Sequence, residues 1–238
     1  TSYFSKWNKI KLILIDKKNL FYLILTSILI FINWSVWIYA VSTNQIVDAS
    51  FGYFIMPILS VFFGYLFFKE LLNKRRIFAI VLTIISVFYL FYFYKNFPWI
   101  GLTVGLSWSL YNVFRKKIKV DVDLGLLIES LIILPFALLG FYFVFQTGNL
   151  DFGINTLKLS LILILAGPMT VIPLFLYVRG VELCGLGPTG MIFYITPTLQ
   201  FILGYFLYNE PFNTNQLVSF ILIWIAVFIY LKDLYEKN

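Results

Sequence analysis

The sequence contains no histidine and only one cysteine, Cys184, among its 238 residues. One cysteine cannot form a disulfide within the chain, and histidine is the commonest metal ligand and the usual carrier of protons near neutral pH. A zinc site needs histidine or several cysteines, and a Ser–His–Asp triad needs histidine. The composition therefore excludes both kinds of hydrolytic site, and we expect no metal, no cofactor and no enzymatic activity.

Charged residues are also scarce, at 12% of the chain, whereas 61% of the residues are hydrophobic. A soluble domain carries about a quarter charged residues. Eight apolar stretches of 16 to 22 residues lie at 20–41, 49–68, 77–94, 99–114, 125–145, 159–178, 188–208 and 216–231. A membrane span needs roughly 17–25 residues. We predict an all-α integral membrane protein with about eight transmembrane helices.

The distribution of positive charge predicts how these helices are oriented. If both termini are cytoplasmic, sixteen of the eighteen Lys and Arg residues lie inside, and only Lys95 and Lys158 lie outside. Basic residues accumulate in cytoplasmic loops. We therefore predict a multi-pass protein of the cell membrane (plasma or inner) with both termini in the cytoplasm. The net charge of +7 then indicates topology and contact with anionic lipid headgroups rather than nucleic-acid binding.

Two parts of the chain align when the sequence is shifted by 140 positions, which places Pro57 and Gly64 on Pro197 and Gly204. Each copy has the pattern of an apolar helix interrupted by a proline, with a small residue two turns later. Interrupted membrane helices in corresponding positions of two halves are the best sequence indication of a transporter's binding site. We predict that these four residues form kinks or hinges.

The alignment divides the chain into two repeats. We assign residues 1–94, a basic cytoplasmic segment and three helices, to a partial first repeat, and residues 95–238, with five helices, to a second repeat. An odd number of spans per repeat inverts the second copy in the membrane. Glu70 falls in a predicted inner loop with four basic residues, whereas Glu210 falls in an outer loop with none. We therefore predict an inverted repeat, and we expect a structural role for Glu70 at the end of its helix.

Three segments, residues 49–58, 167–174 and 194–204, resemble the RarD branch of the drug/metabolite transporter superfamily, whose members carry EamA-type repeats and are also called chloramphenicol-sensitive proteins. The resemblance implies a ten-helix inverted-repeat fold. It also implies a secondary transporter of a small organic solute (a metabolite, an amino acid or a drug-like compound), which exports its substrate in exchange for protons by alternating access. The chain lacks the family's first helix and most or all of the second, so we expect a fragment; a complete chain would favour a non-transporting membrane scaffold or sensor on the same fold.

Polar and aromatic side chains share the faces of the proline-containing helices. Tyr53, Pro57 and Ser60 recur at helical spacing, and Gln200 follows Pro197 by three residues. A proline inside a helix frees a backbone carbonyl, which in lipid must be satisfied by neighbouring groups or by water in a cavity. We predict that these side chains line a substrate cavity; the alternative is that proline and glycine only permit close helix packing.

Neighbouring spans add further candidates. Asn33 in the middle of a span is costly unless it finds a partner, and Trp37, one turn later, can stack on a ring or a cation. Trp108 and Asn112 share a face with Arg115, for which the positive-inside pattern is the default explanation. Packing remains the alternative for the aromatic residues. The predicted substrate-binding residues are Asn33, Trp37, Tyr53, Ser60, Trp108, Asn112, Tyr177 and Gln200.

Glu129 is the only carboxylate well inside a predicted span. Ionisable residues within membrane spans are functional hypotheses by default, and without histidine a carboxylate is the natural proton carrier. Arg179, near the inner end of the sixth span, is its candidate counter-ion. The alternatives are that Glu129 extends to the inner interface or caps a neighbouring helix.

Overall fold

The computed structural model describes residues 2–43, 45–92, 99–148, 152–153, 156–207 and 214–236. Glu210 lies outside these residues, and so do the Gln200 side chain and the surroundings of Gly204. Within the described residues the regular structure is entirely helical. The helices are α1 (Ser2–Ile15), α2 (Lys17–Ser42), α3 (Ile46–Phe68), α4 (Lys74–Tyr92), α5 (Trp99–Lys117), α6 (Val122–Gln146), α7 (Leu157–Cys184), α8 (Leu186–Ile192), α9 (Ile195–Leu207) and α10 (Thr214–Tyr235).

The helices confirm the prediction of an all-α membrane protein. Helices α2 to α7 and α10 each cover one predicted stretch, and α8 and α9 together cover the seventh. Among the described residues, four helical segments are long and apolar enough to cross a membrane: α2, α6, α7 and residues 217–235 of α10. A shorter apolar segment at Gly52–Phe68 belongs to α3. The additional helix α1 was not predicted, because lysines interrupt its apolar residues.

The two aligned prolines have different effects on their helices. Helix α3 continues past Pro57, whereas the second copy turns at Phe193 and Tyr194 and resumes as α9, so that Pro197 lies in the first turn of a new helix. Proline is tolerated there because first-turn N–H groups have no partner within the helix. The Tyr194 hydroxyl donates to the carbonyl of Phe54 (2.8 Å), in the turn before Pro57. The predicted interruption is therefore found in the second copy only.

The chain folds as two compact units, one formed by residues 1–31 and 114–182 and the other by residues 32–113 and 183–238. Each unit draws on both predicted repeats. The first has a core around Leu23, Ile118 and Ile128. In the second, α4 packs along α10 and α3 packs against α8.

A buried ion pair joins α4 to α10 in the second unit. Arg76 Nε donates to Asp233 Oδ2 (2.9 Å), and Asn73 Nδ2 donates to both Asp233 oxygens (2.6 and 2.7 Å). Arg76 Nη1 also donates to the Leu71 carbonyl (2.8 Å). These hydrogen bonds satisfy the charges that burial would otherwise leave uncompensated. We call this group the Arg76–Asp233 clamp.

Glu70 caps helix α8. Its carboxylate accepts hydrogen bonds from the backbone N–H groups of Leu186 (2.7 Å) and Gly187 (2.9 Å). The first N–H groups of a helix have no partner within the helix, and a carboxylate there is favourable. At Gly64 a Cβ atom would lie 2.6 Å from Glu70 Oε2, so the glycine leaves space for the carboxylate. The structural role expected of Glu70 is confirmed.

Candidate functional site

Glu129 is a buried carboxylate within a described membrane span of the first unit. Glu129 lies in α6 and its relative exposure is 3%. Its Oε1 atom accepts a hydrogen bond from Thr26 Oγ1 of α2 at 2.6 Å, and Arg115 Nε of α5 lies 3.9 Å from the same oxygen. We call these three residues the Glu129 cluster. The side chain therefore lies inside the unit, which neither extension to the interface nor a helix cap would produce.

Arg115 supplies the positive charge of this cluster. It lies in the last turn of α5, its relative exposure is 1%, and Nη2 donates to the Val122 carbonyl at 3.1 Å. Gly125 makes this position possible, because a Cβ atom there would collide with the guanidinium. The positive-inside pattern accordingly does not explain where this side chain lies.

Arg179 has a different partner from the one predicted. Its Nη1 atom donates to Glu182 Oε2 at 3.2 Å, three residues along the same helix, and its side chain is 56% exposed. The counter-ion found beside Glu129 is Arg115 instead. Arg179 lies five residues before the end of α7, where a carboxylate three residues along the same helix is within reach of its side chain.

Thr26 allows the cluster to accommodate a proton. Its Oγ1 atom has two acceptors within hydrogen-bond distance, Glu129 Oε1 (2.6 Å) and the Leu23 carbonyl (3.0 Å), but a hydroxyl group supplies only one hydrogen. When Glu129 is ionised, Thr26 can donate to the carboxylate. When Glu129 is protonated, its own O–H can donate to Thr26, which then donates to Leu23. Both protonation states fit the same heavy-atom positions.

A row of aromatic rings lies in the second unit. The ring centroids of Trp37 and Tyr53 are 5.3 Å apart, and those of Tyr53 and Phe193 are 5.9 Å apart. Trp108 lies 6.2 Å from Phe193 and 5.9 Å from Tyr111. Such distances are typical of favourable aromatic pairs. The structure thus brings together three predicted residues, Trp37, Tyr53 and Trp108, and adds Phe193, which aligns with Tyr53 in the repeat. We call these five residues the aromatic row.

Two predicted substrate-binding residues lie at helix crossings. Asn33 Nδ2 donates to the Val104 carbonyl (2.8 Å) and to Ser107 Oγ (3.0 Å), and so joins α2 to α5. Ser60 is buried at the crossing of α3 and α8, where a Cβ atom at Gly190 would lie 2.6 Å from Ser60 Cβ. Both residues thus lie in contact with a neighbouring helix.

Two further candidates belong to different compact units. Asn112 is buried in α5 within the second unit, and Tyr177 is half-buried in α7 within the first. Thr26, in contrast, was missed by sequence reasoning, since a single threonine in an apolar span is an ordinary occurrence. Only its distance from Glu129 distinguishes it.

Known proteins resemble this chain along most of its length. The profile of the EamA-like transporter family matches residues 2–92 and 98–232. An uncharacterized transporter of Vibrio cholerae is 32% identical over 228 residues, which cover 96% of this chain and 76% of the relative. Protein RarD of Escherichia coli is 31% identical over 228 residues, 96% of this chain and 77% of the relative. The uncharacterized transporter YojE of Bacillus subtilis is 35% identical over 216 residues, 90% of this chain and 72% of the relative.

Proposed function

Because the chain belongs to the RarD branch of the EamA-like transporter family, we propose that it is a secondary active transporter of a small organic solute. The solute is a metabolite, an amino acid or a drug-like compound, and the protein exports it in exchange for protons. Inverted repeats that alternate between inward and outward access would supply the movement, with hinges at Pro57, Gly64, Pro197 and Gly204. Family membership supports transport in general; the Glu129 cluster supports coupling to protons.

The observation that carries the proposal is a buried carboxylate whose surroundings fit both of its protonation states. Ionisable groups within membrane spans mark proton relays and ion pathways, and this chain has no histidine to serve instead. In the proposed cycle Glu129 takes up and releases the proton. Arg115, at 3.9 Å, stabilises the negative charge that remains when the proton leaves. Thr26 keeps the carboxyl group hydrogen-bonded in either state.

The aromatic row supports a substrate with an apolar or aromatic part. Trp37, Tyr53 and Trp108 are half-buried, so part of each side chain remains accessible. Aromatic faces bind both rings and organic cations. Asn112, Tyr177 and Gln200 remain proposed contacts, whereas the geometry of Asn33 and Ser60 favours a role in holding helices together.

Transport can be tested with the purified chain in sealed lipid vesicles. A labelled panel of amino acids and amphiphilic drugs is assayed with and without an imposed pH gradient. We expect a gradient to drive accumulation of at least one compound, with no effect in vesicles that lack the protein. If no compound moves, although circular dichroism shows folded helices, the result favours a non-transporting scaffold.

Glu129→Gln tests the proton carrier directly. The amide keeps the shape of the side chain but cannot exchange a proton, so we expect the pH gradient to lose its effect on solute flux. Glu182→Gln, which removes a half-buried carboxylate from the same unit, is the matched control and should behave like the wild type. Unchanged gradient dependence in a folded Glu129→Gln protein would contradict the proposal.

A further inference from the structure

We propose that Arg115 determines substrate specificity: its guanidinium binds the carboxylate of a zwitterionic solute, while Glu129 binds the cationic group of the same solute. This inference rests on the proposed transport function and adds the chemistry of the transported molecule. It assigns to Arg115 a role beyond that of counter-ion to a proton carrier.

The first argument is the state of the guanidinium. Arg115 has a relative exposure of 1%, yet its Nε and Nη1 atoms have no hydrogen-bond partner among the residues that the structure describes. Nη2 donates to the Val122 carbonyl. Buried donors are almost always paired, because an unpaired donor that has lost its water costs free energy, and a charged donor costs more. The fold therefore keeps a charged group desolvated while leaving several of its N–H groups without an acceptor.

The second argument is that Glu129 does not accept a hydrogen bond from Nε or Nη1 of Arg115. Its Oε1 atom lies 3.9 Å from Arg115 Nε, which is an electrostatic contact but too long for a hydrogen bond. The same oxygen lies 2.6 Å from Thr26 Oγ1. The guanidinium packs directly against the backbone of Gly125, where a Cβ atom would collide with it. The planar fork of an arginine is suited to a carboxylate, and an acceptor of this kind is what the guanidinium lacks.

The third argument is the balance of charge. A zwitterion that places its carboxylate on Arg115 and its ammonium group on Glu129 leaves the net charge of the buried cluster unchanged. A purely anionic or cationic solute would leave one buried charge uncompensated. Of the elements that contribute to the cluster, α5 brings Arg115 and α2 brings the neutral Thr26. Asp123, six residues before Glu129 on α6, is exposed.

The same arrangement couples the solute to the proton. A protonated Glu129 no longer offers a negative charge, so the proton and the ammonium group compete for one carboxylate. At any time the protein therefore binds either the solute or the proton at Glu129, but not both. This exclusion is the requirement for exchange rather than co-transport.

Three matched probes test the recognition of charge: labelled L-phenylalanine, L-phenylalaninamide and 3-phenylpropionate. They share a phenyl ring and carry, respectively, both charges, the positive charge alone and the negative charge alone. Equilibrium binding is measured on the purified full chain in detergent. Hydrogen bonds to charged groups contribute about 1.5–3 kcal/mol, so we expect the wild type to bind phenylalanine at least about tenfold more tightly than either analogue.

Variants of Arg115 separate recognition from stability. Arg115→Gln should abolish the preference for phenylalanine over phenylalaninamide, because the guanidinium that binds the carboxylate is gone. Because this variant leaves Glu129 buried without its counter-ion, it can unfold the protein. The double variant Arg115→Gln with Glu129→Gln removes both charges together and should fold, yet bind the three probes with similar affinity. Arg75→Gln, which removes a guanidinium from an exposed ion pair with Glu236, should keep the wild-type order.

Each outcome distinguishes the inference from the function on which it rests. Equal binding of phenylalanine and its amide by the wild type overturns the inference, and so does a preference for phenylalanine that survives in the folded double variant. If, in either case, vesicles still show gradient-driven flux of some compound, the proposed transport function stands. If the wild type neither binds a probe nor moves any compound of the panel, both fail.

Discussion

Two arginines near helix ends, Arg115 and Arg179, have different surroundings in this chain. Arg179 is largely exposed and pairs with Glu182 on its own helix, an arrangement that contributes little to stability. Arg115 is buried beside Glu129, where a charge must be compensated or used. The two side chains are chemically identical, so the difference between Arg115 and Arg179 comes from their burial and from the carboxylate that each one contacts.

Thr26 offers a prediction at the scale of single residues. Thr26→Val keeps the shape of the side chain but removes the hydroxyl that donates to the Glu129 carboxylate at 2.6 Å. A hydrogen bond to a charged group contributes about 1.5–3 kcal/mol, so we expect gradient-driven flux in vesicles to fall at least about tenfold. Thr26→Ser retains the hydroxyl and should stay close to the wild type. Equal flux in the valine and serine variants would show that the hydroxyl takes no part.

The sequence directed attention to the correct kinds of residue but not to their partners. Glu129 could be singled out because a carboxylate in an apolar span is rare. Arg115 could not be distinguished from other basic residues at helix ends, because the positive-inside pattern explains all of them equally well. Asn33 was predicted to bind substrate, and the sequence did not indicate that it donates to Val104 and Ser107. Which acceptor pairs with a given buried donor depends on how the helices pack, and no local sequence pattern encodes that packing.

At the scale of elements, the apolar stretches were predictable and the break between α8 and α9 was not. Long runs without charge indicate a span by composition alone. A proline indicates only a weakened helix, and its effect depends on the neighbours: α3 continues past Pro57, whereas the chain turns before Pro197. Helix α1 was missed because a short, lysine-containing segment has no pattern that demands a helix.

The Arg76–Asp233 clamp gives a prediction about the packing of α4 on α10. Asp233→Asn leaves the buried Arg76 without its counter-charge, and breaking such a pair typically costs about 3–5 kcal/mol. We expect the free energy of unfolding in mixed micelles, followed by tryptophan fluorescence, to fall by about that amount. Glu236→Gln breaks the exposed pair with Arg75 and should cost no more than about 1 kcal/mol. Similar costs for the two variants would contradict this assignment.

For the whole molecule, the boundaries of the two predicted sequence repeats differ from those of the two compact units. The predicted repeats are residues 1–94 and 95–238, whereas each compact unit contains residues from both. A repeat is detected through residues that match at a fixed offset, and compactness depends on which helices touch. The inverted relation of the two repeats remains a prediction that rests on the loop charges.

Orientation in the membrane can be measured with fused reporters. Sixteen of the eighteen Lys and Arg residues lie on one predicted side, and the positive-inside rule places that side in the cytoplasm. Alkaline phosphatase, which is active only outside the cytoplasm, should therefore be inactive when fused after Lys119 and active when fused after Gln146. The reverse pattern of activity would invert the assigned topology.

The cap that Glu70 provides for α8 has a consequence for the order of events during synthesis. Its two backbone partners follow 116 and 117 residues later in the chain. At about 5–20 residues per second, a ribosome needs on the order of ten seconds to produce them. For that interval the carboxylate at the end of α3 is already at the membrane but cannot make its native contacts. The final closure of the second unit must therefore follow, rather than accompany, insertion of the first helices.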